Sequence, residues 1–143
     1  MDIGTPEFEK FQAVVLNHVR AQNVATNLKV ELMAIRIDME DYVLSESTSE
    51  VRRAGDFLRD FLKVLGIRQN KFAEYLGINP SNLNKLLSGE RPINSQIALI
   101  LGQIFDVDPM LWLEVLYRNE LRKLYTTKQQ ELERFSLKDL ITD

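Results

Sequence analysis

The chain has 143 residues, enough for one domain with a sizeable core or for a small domain with an added helical segment. It contains no cysteine, which excludes disulfides, thiolate metal sites and a cysteine nucleophile. No apolar run approaches the roughly 20 residues that span a bilayer. The first residues, Met1 to Pro6, lack the basic and apolar regions of a signal peptide, so we expect a cytoplasmic protein.

Charge is distributed unevenly along the chain. The net formal charge of −3 at first argues against a nucleic-acid partner. The net is −5 over residues 1–50, +4 over 51–92 and −2 over 93–143. Because attraction to phosphate is local, the basic middle is the segment to consider for nucleic-acid contact, although charge alone also fits chance clustering on a solvated surface.

The first 50 residues predict a helical extension made of two helices. Thr5 is a good N-cap and Pro6 suits the first helical position. Two apolar stripes follow at helical spacing: Phe8, Phe11, Val15 and Val19, then Leu28, Leu32, Ile35, Met39 and Tyr42. We expect the two helices to pack as a hairpin that completes the core or a dimer, or to present a face to a dedicated partner. The polar run 45–50 predicts a linker between this extension, residues 1–50, and a domain at 51–143.

Three short helical patterns separated by glycines occupy the middle of the chain. They run over about 55–65, 68–76 and 80–88, and each is followed by a glycine: Gly66, Gly77 and Gly89. Glycine ends a helix readily because it adopts the left-handed conformation without a Cβ clash. Asn79 and Pro80 supply an N-cap and a first-turn proline for the third helix. Two short helices around a glycine-bearing turn are the description of a helix-turn-helix.

Two more helices are predicted after the helix-turn-helix. The fourth covers Asn94–Phe105, and the fifth begins at Asp108-Pro109 and is long. The fifth helix has an apolar stripe that extends beyond the length that a helix-turn-helix core can cover: Leu113, Leu116, Tyr117, Leu121, Leu124 and Tyr125. This stripe indicates a dimer seam, and packing against the N-terminal helices explains it equally well. Trp112 is assigned to the core.

The residues from about Gly55 to Tyr117 resemble the XRE-type helix-turn-helix of phage repressors, and more closely the HigA-type antitoxins, also called plasmid maintenance antidote proteins. Five stretches carry this resemblance: Gly55-Asp56-Phe57-Leu58, Gln69 with Phe72-Ala73 and Leu76-Gly77-Ile78, Gly89 with Arg91-Pro92-Ile93, Ala98 with Leu101 and Phe105, and Pro109 with Leu111-Trp112-Leu113. The resemblance implies an all-α fold, a five-helix phage-repressor-like domain between an N-terminal helical extension and a long C-terminal helix. It also implies a repressor of its own toxin–antitoxin operon and a cognate toxin, a ribosome-dependent RNase, as partner.

The resemblance places contacts to double-stranded DNA on eight residues: Arg68, Gln69, Pro80, Ser81, Asn82, Asn84, Lys85 and Arg91. Gln69 matches a glutamine that braces a backbone phosphate, and the two arginines add positive charge beside phosphates. Lys85 can donate to guanine or to phosphate, and Asn84 can pair with adenine. Pro80 has no donor, so it could make only an apolar contact, for example with a thymine methyl. The alternative for this set is the solvated polar face that any helix has.

Features of an enzyme are absent from the sequence, and we expect no cofactor and no metal. The single histidine, His18, lies outside any carboxylate or thiol cluster, and no phosphate-cradling glycine loop or nucleophile elbow occurs. Two function classes remain. The first is a sequence-specific repressor, most specifically an antitoxin, that reads two half-sites as a homodimer. The second is a protein-interaction module that keeps the fold but has lost DNA binding, favoured by Pro80 and the acidic flanks.

Overall fold

The computed structural model describes residues 5–47 and 50–142, and this part of the chain is helical without strands. The helices are α1 Pro6–Leu44, α2 Ala54–Leu65, α3 Gln69–Leu76, α4 Pro80–Ser88, α5 Ser95–Phe105, α6 Pro109–Thr127, α7 Gln129–Glu133 and α8 Leu137–Ile141. The all-α class is therefore confirmed. The five-helix count is not exact, because residues 50–142 form seven helices: α2 to α6 as predicted, then two of five residues each.

The prediction of two N-terminal helices is wrong, because α1 is one uninterrupted helix of 39 residues. No glycine or proline occurs between residues 7 and 44, so nothing in the sequence breaks the backbone hydrogen-bond ladder. Its start is as predicted, since the Thr5 hydroxyl accepts a hydrogen bond from the Phe8 N–H at 3.2 Å. The expected hairpin does not form, and Phe11 and Val19 of the first stripe are exposed to solvent.

Only the C-terminal third of α1 packs against the domain. Ile35 and Met39 are buried in the core, and Leu32, Tyr42 and Val43 pack against its edge. Their contacts are with α2 and α6. Of the predicted linker, residues 45–47 and Glu50 are non-helical, and Thr48 and Ser49 lie outside the described residues. The division into domains at residue 50 stays a prediction.

A network of hydrogen bonds fastens α1 and the linker to α6. The Tyr42 hydroxyl donates to Asn119 Oδ1 at 2.6 Å and accepts from the Arg52 N–H at 2.9 Å. Asn119 Nδ2 donates in turn to the Arg52 carbonyl at 2.8 Å. The Arg118 guanidinium lies 3.9 Å from the centroid of the Tyr42 ring and donates to the Ser45 carbonyl. We call Tyr42, Arg52 and Asn119 the polar latch.

Aromatic rings fill the centre of the domain. Phe61 stacks on Phe105 with 4.6 Å between centroids, and Trp112 lies 5.8 Å from Phe61. Trp112 is fully buried, which confirms its assignment to the core. None of the helices in the described ranges combines the length and the apolar character that a membrane crossing requires.

The apolar stripe of α6 is covered only over its first half. Leu113 and Leu116 are half-buried, and α6 contacts α1, α2 and α5. Tyr117, Leu121 and Tyr125 are more than half exposed. Packing within the domain, which includes the N-terminal helix, therefore covers the beginning of the stripe, whereas its last two turns contact solvent.

Candidate nucleic-acid interface

A tight turn joins α3 to α4, and its conformation depends on Gly77. This residue has a φ of 73°, in the left-handed region that favours glycine. Its N–H donates to the Glu74 carbonyl at 3.1 Å, and the Ile78 N–H donates to the Ala73 carbonyl at 3.0 Å. These two bonds satisfy carbonyls that the end of α3 would leave unpaired. Ile78 packs against the core, which fixes the direction in which the chain enters α4.

The N-terminal end of α4 is capped as the sequence predicts. The Asn79 side chain accepts a hydrogen bond from the Asn82 N–H at 2.8 Å, and Pro80 occupies the first turn. Such a cap stabilises a helix by about 1 kcal/mol. The first turn of α4 is therefore well ordered and keeps its partial positive charge towards solvent, where an anion can approach.

One face of α4 is packed into the domain and the other is exposed. Leu83 and Leu87 are fully buried, and Leu86 is nearly so. Ser81, Asn84 and Lys85 are exposed on the opposite side. This is the arrangement that a recognition helix requires, with its polar side free to enter a DNA groove. Asn82 is half-buried, so it is less accessible than its neighbours.

Helix α2 packs closely against α4 and holds it in place. A Cβ built on Gly55 would lie 2.2 Å from the Leu87 carbonyl oxygen, so only glycine allows the two backbones to approach so closely. The Arg53 guanidinium donates to the Ser88 carbonyl at 2.8 Å and caps the other end of α4. Arg53 was not among the predicted site residues, and this bond assigns it to positioning α4.

The remaining predicted residues flank α4 in the chain and are exposed. Arg68 and Gln69 lie at the start of α3, and the Arg68 side chain makes no capping hydrogen bond there. Arg91 follows α4, and its N–H donates to the Lys85 carbonyl at 3.0 Å, which fixes the backbone of this loop. Lys71, exposed on α3 two residues after Gln69, is a further cation that the sequence reasoning left out. Its signal was its place in the first turn of α3, three residues after Arg68.

The structure thus leaves seven of the eight predicted residues exposed and shows how the turn and caps order the helices that carry them. Their roles towards individual bases or phosphates stay predictions. His18 lies exposed on α1. Within the described ranges, acidic and histidine side chains form no group able to hold a metal ion.

Comparison with known proteins identifies the region around α3 and α4 as a helix-turn-helix. A helix-turn-helix family profile matches residues 58–112. Virulence-associated protein I of Dichelobacter nodosus is 30% identical over 76 residues, which are 52% of this chain and 70% of that protein. An uncharacterised HTH-type transcriptional regulator of Escherichia coli, YddM, is 29% identical over 63 residues, 44% of this chain and 67% of the regulator.

A third relative shares only a small part of its length. The propionyl-CoA carboxylase regulator of Cereibacter sphaeroides is 40% identical over 55 residues, which are 38% of this chain and 12% of that protein. No solved structure matches the chain. The profile match lies on the helices whose turn, caps and buried faces are described above, and the chain belongs to the XRE-type helix-turn-helix family.

Proposed function

We propose that this protein is a DNA-binding transcriptional regulator that represses by occupying an operator, acting through binding rather than catalysis. The observation that carries the proposal is the exposed polar side of α4, held outward by the buried leucines on its other side. Two similar proteins are named as regulators, one of them HTH-type. Arg68, Lys85 and Arg91 supply positive charge around the helix for contact with phosphates.

The test is a gel-shift titration with the DNA upstream of the protein's own gene. We expect sequence-specific binding that weakens as salt rises. Lys85→Ala should weaken binding by roughly 5- to 100-fold if Lys85 contacts a base edge. If Lys85 contacts a phosphate instead, the variant should weaken binding to all sequences similarly and reduce the salt slope by about 1.

A matched control removes the same charge elsewhere. Lys128 is exposed at the junction of α6 and α7. Lys128→Ala should bind like the unmodified protein, because this position lies outside α3, α4 and their loops. Equal affinity of Lys85→Ala and unmodified protein, or equal affinity for the upstream and a scrambled duplex, would refute the proposal.

At a finer level we propose an antitoxin that represses its own operon and binds a cognate toxin. The resemblance of the 109–113 stretch to HigA-type antitoxins supports this assignment. Co-expression with the product of the adjacent gene tests it directly. We expect the two products to co-purify and this protein to relieve growth arrest caused by the other. Absence of a complex, with repression retained, would leave a stand-alone repressor.

The second candidate is an interaction module without DNA binding. A groove of about 720 Å³ beside α4 favours it, with an apolar floor that includes Leu86, Ile93 and Leu116. Arg91 and Lys123 also line this groove and would suit an acidic segment of a partner protein. Co-purification of the adjacent gene product, together with no affinity for the upstream DNA, would select this candidate.

A further inference from the structure

The N-terminal two-thirds of α1, residues 6–31, project from the domain. At 1.5 Å per residue this segment is about 39 Å long. Seven large apolar side chains on it are between 43% and 67% exposed: Phe11, Val14, Val15, Leu16, Val19, Val24 and Val30. We call residues 6–31 the projecting segment.

The composition of the projecting segment does not suit a helix surrounded by water. From Phe11 to Leu28, a run of 18 residues, Arg20 is the only charged residue. The exposed end of α6 is different, since residues 117–127 include four charged side chains. A helix that is apolar on several faces is normally buried, and helices in proteins gain most of their stability by packing an apolar face against another element. The projecting segment therefore needs a partner more than the end of α6 does.

The spacing of residues on the projecting segment continues the stripe that packs on the domain. Positions alternating by three and four residues run through Phe11, Val14, His18, Ala21, Ala25 and Leu28, and then through Leu32, Ile35, Met39 and Tyr42. The second group packs against the chain's own core, whereas the first is exposed apart from the half-buried Leu28. Such a seven-residue repeat is typical of helices that pair along a seam.

We propose that the projecting segments of two copies of this chain pair antiparallel. An antiparallel pair centred between His18 and Ala21 sets Phe11 of one copy opposite Leu28 of the other. It sets Val14 opposite Ala25 and His18 opposite Ala21, so each central pair joins a larger side chain with a small one and the helices approach closely. The contact is isologous, which closes the assembly at two copies.

Charge at the flanks favours the same arrangement. In the antiparallel pair, Lys10 of one copy lies beside Glu31 of the other, and symmetry repeats this contact. Both residues are exposed, and neither forms an ion pair within residues 5–47 and 50–142. A near-neutral helix also pairs with its own copy without net repulsion.

The consequence for DNA rests on the proposed function, because a helix-turn-helix dimer reads two half-sites. The association itself is measured without DNA, by sedimentation equilibrium of the full chain. We expect a dimer. Ala25→Glu should raise the dissociation constant of the dimer at least about tenfold, because the substitution buries an unpaired carboxylate in the seam. Asn23→Glu is the control, with the same added charge facing away from the seam, and it should leave the dimer intact.

A charge exchange tests the antiparallel direction. Lys10→Glu and Glu31→Lys should each weaken the dimer several-fold at low salt, and the double variant should restore it. Far-ultraviolet circular dichroism verifies that the variants keep their helix content. A monomeric unmodified protein, a dimer insensitive to Ala25→Glu, or a double variant without rescue would overturn the proposal. Gel shifts of the same samples report DNA binding separately, so a failure of either proposal can be recognised.

Discussion

Replacing Gly55 by alanine tests how closely α2 holds the recognition helix. The added Cβ would lie 2.2 Å from the Leu87 carbonyl oxygen and 2.6 Å from its Cα. An ordinary contact of this kind is 3.4–4 Å, so α2 and α4 must separate by more than about 1 Å. The obstructing atoms belong to the backbone, and no change of side-chain rotamer relieves the clash. Leu83 and Leu87 anchor α4 in the core, so this separation also disturbs their packing.

The expected cost follows from two opposing contributions. Overpacking a well-packed core costs about 1–3 kcal/mol, and a backbone clash belongs at the upper end. Alanine is favoured over glycine in a helix by at most about 1 kcal/mol. We therefore expect the free energy of unfolding to fall by about 2 kcal/mol or more. For a chain of this size the melting temperature should fall by about 5–10 °C.

Chemical denaturation and thermal unfolding followed by circular dichroism measure this loss, and a gel shift measures its effect on DNA affinity. Gly66→Ala is the comparison, because Gly66 has a φ of 66° and an added Cβ there meets nothing within 4 Å. It should cost about 1–2 kcal/mol through backbone strain alone and leave DNA affinity of the folded protein unchanged. A Gly55→Ala protein as stable as the unmodified chain would refute the close approach of α2 and α4.

Two further predictions concern the polar latch and the cap of α4. Tyr42→Phe removes the hydroxyl that bonds to Asn119 and Arg52, and we expect the free energy of unfolding to fall by about 1–3 kcal/mol. In a double-mutant cycle with Asn119→Ala, the two losses should be non-additive. Additive losses would show that these residues do not act together. Asn79→Ala removes the acceptor of the Asn82 N–H and should cost about 1 kcal/mol, whereas Asn79→Asp should retain most of the stability, as measured by urea unfolding.

The helices around the turn could be predicted from sequence because local chemistry marks their ends. Gly66, Gly77 and Gly89 each take a φ between 66° and 79°, and Asn79 and Asp108 cap the helices they precede. These signals act within one turn of chain, so a single sequence contains them. The outward side of α4 was also predictable, since three leucines at helical spacing define its inner side.

The long N-terminal helix was missed for a physical reason. Two separate apolar stripes predicted two helices, but a gap between stripes does not break a helix where no glycine or proline occurs. The polar latch was equally hidden, because Tyr42 and Asn119 are 77 residues apart in the chain. Arg53 carried no sign that it would reach the end of α4, 35 residues further on. Contacts at this separation depend on the tertiary fold rather than on local sequence.

The latch and the cap meet at two consecutive residues, which connects α1 to the recognition helix. The backbone of Arg52 is held by Tyr42 and Asn119, and the side chain of Arg53 binds the Ser88 carbonyl at the end of α4. A displacement of α1 would therefore move Arg52 and also the adjacent Arg53, whose guanidinium donates to the Ser88 carbonyl. Met39 and Leu87 are fully buried on either side of this connection, so neither part can shift without disturbing the packing of the core. Through this connection, the proposed pairing of projecting segments would set the separation and orientation of the two copies of α4.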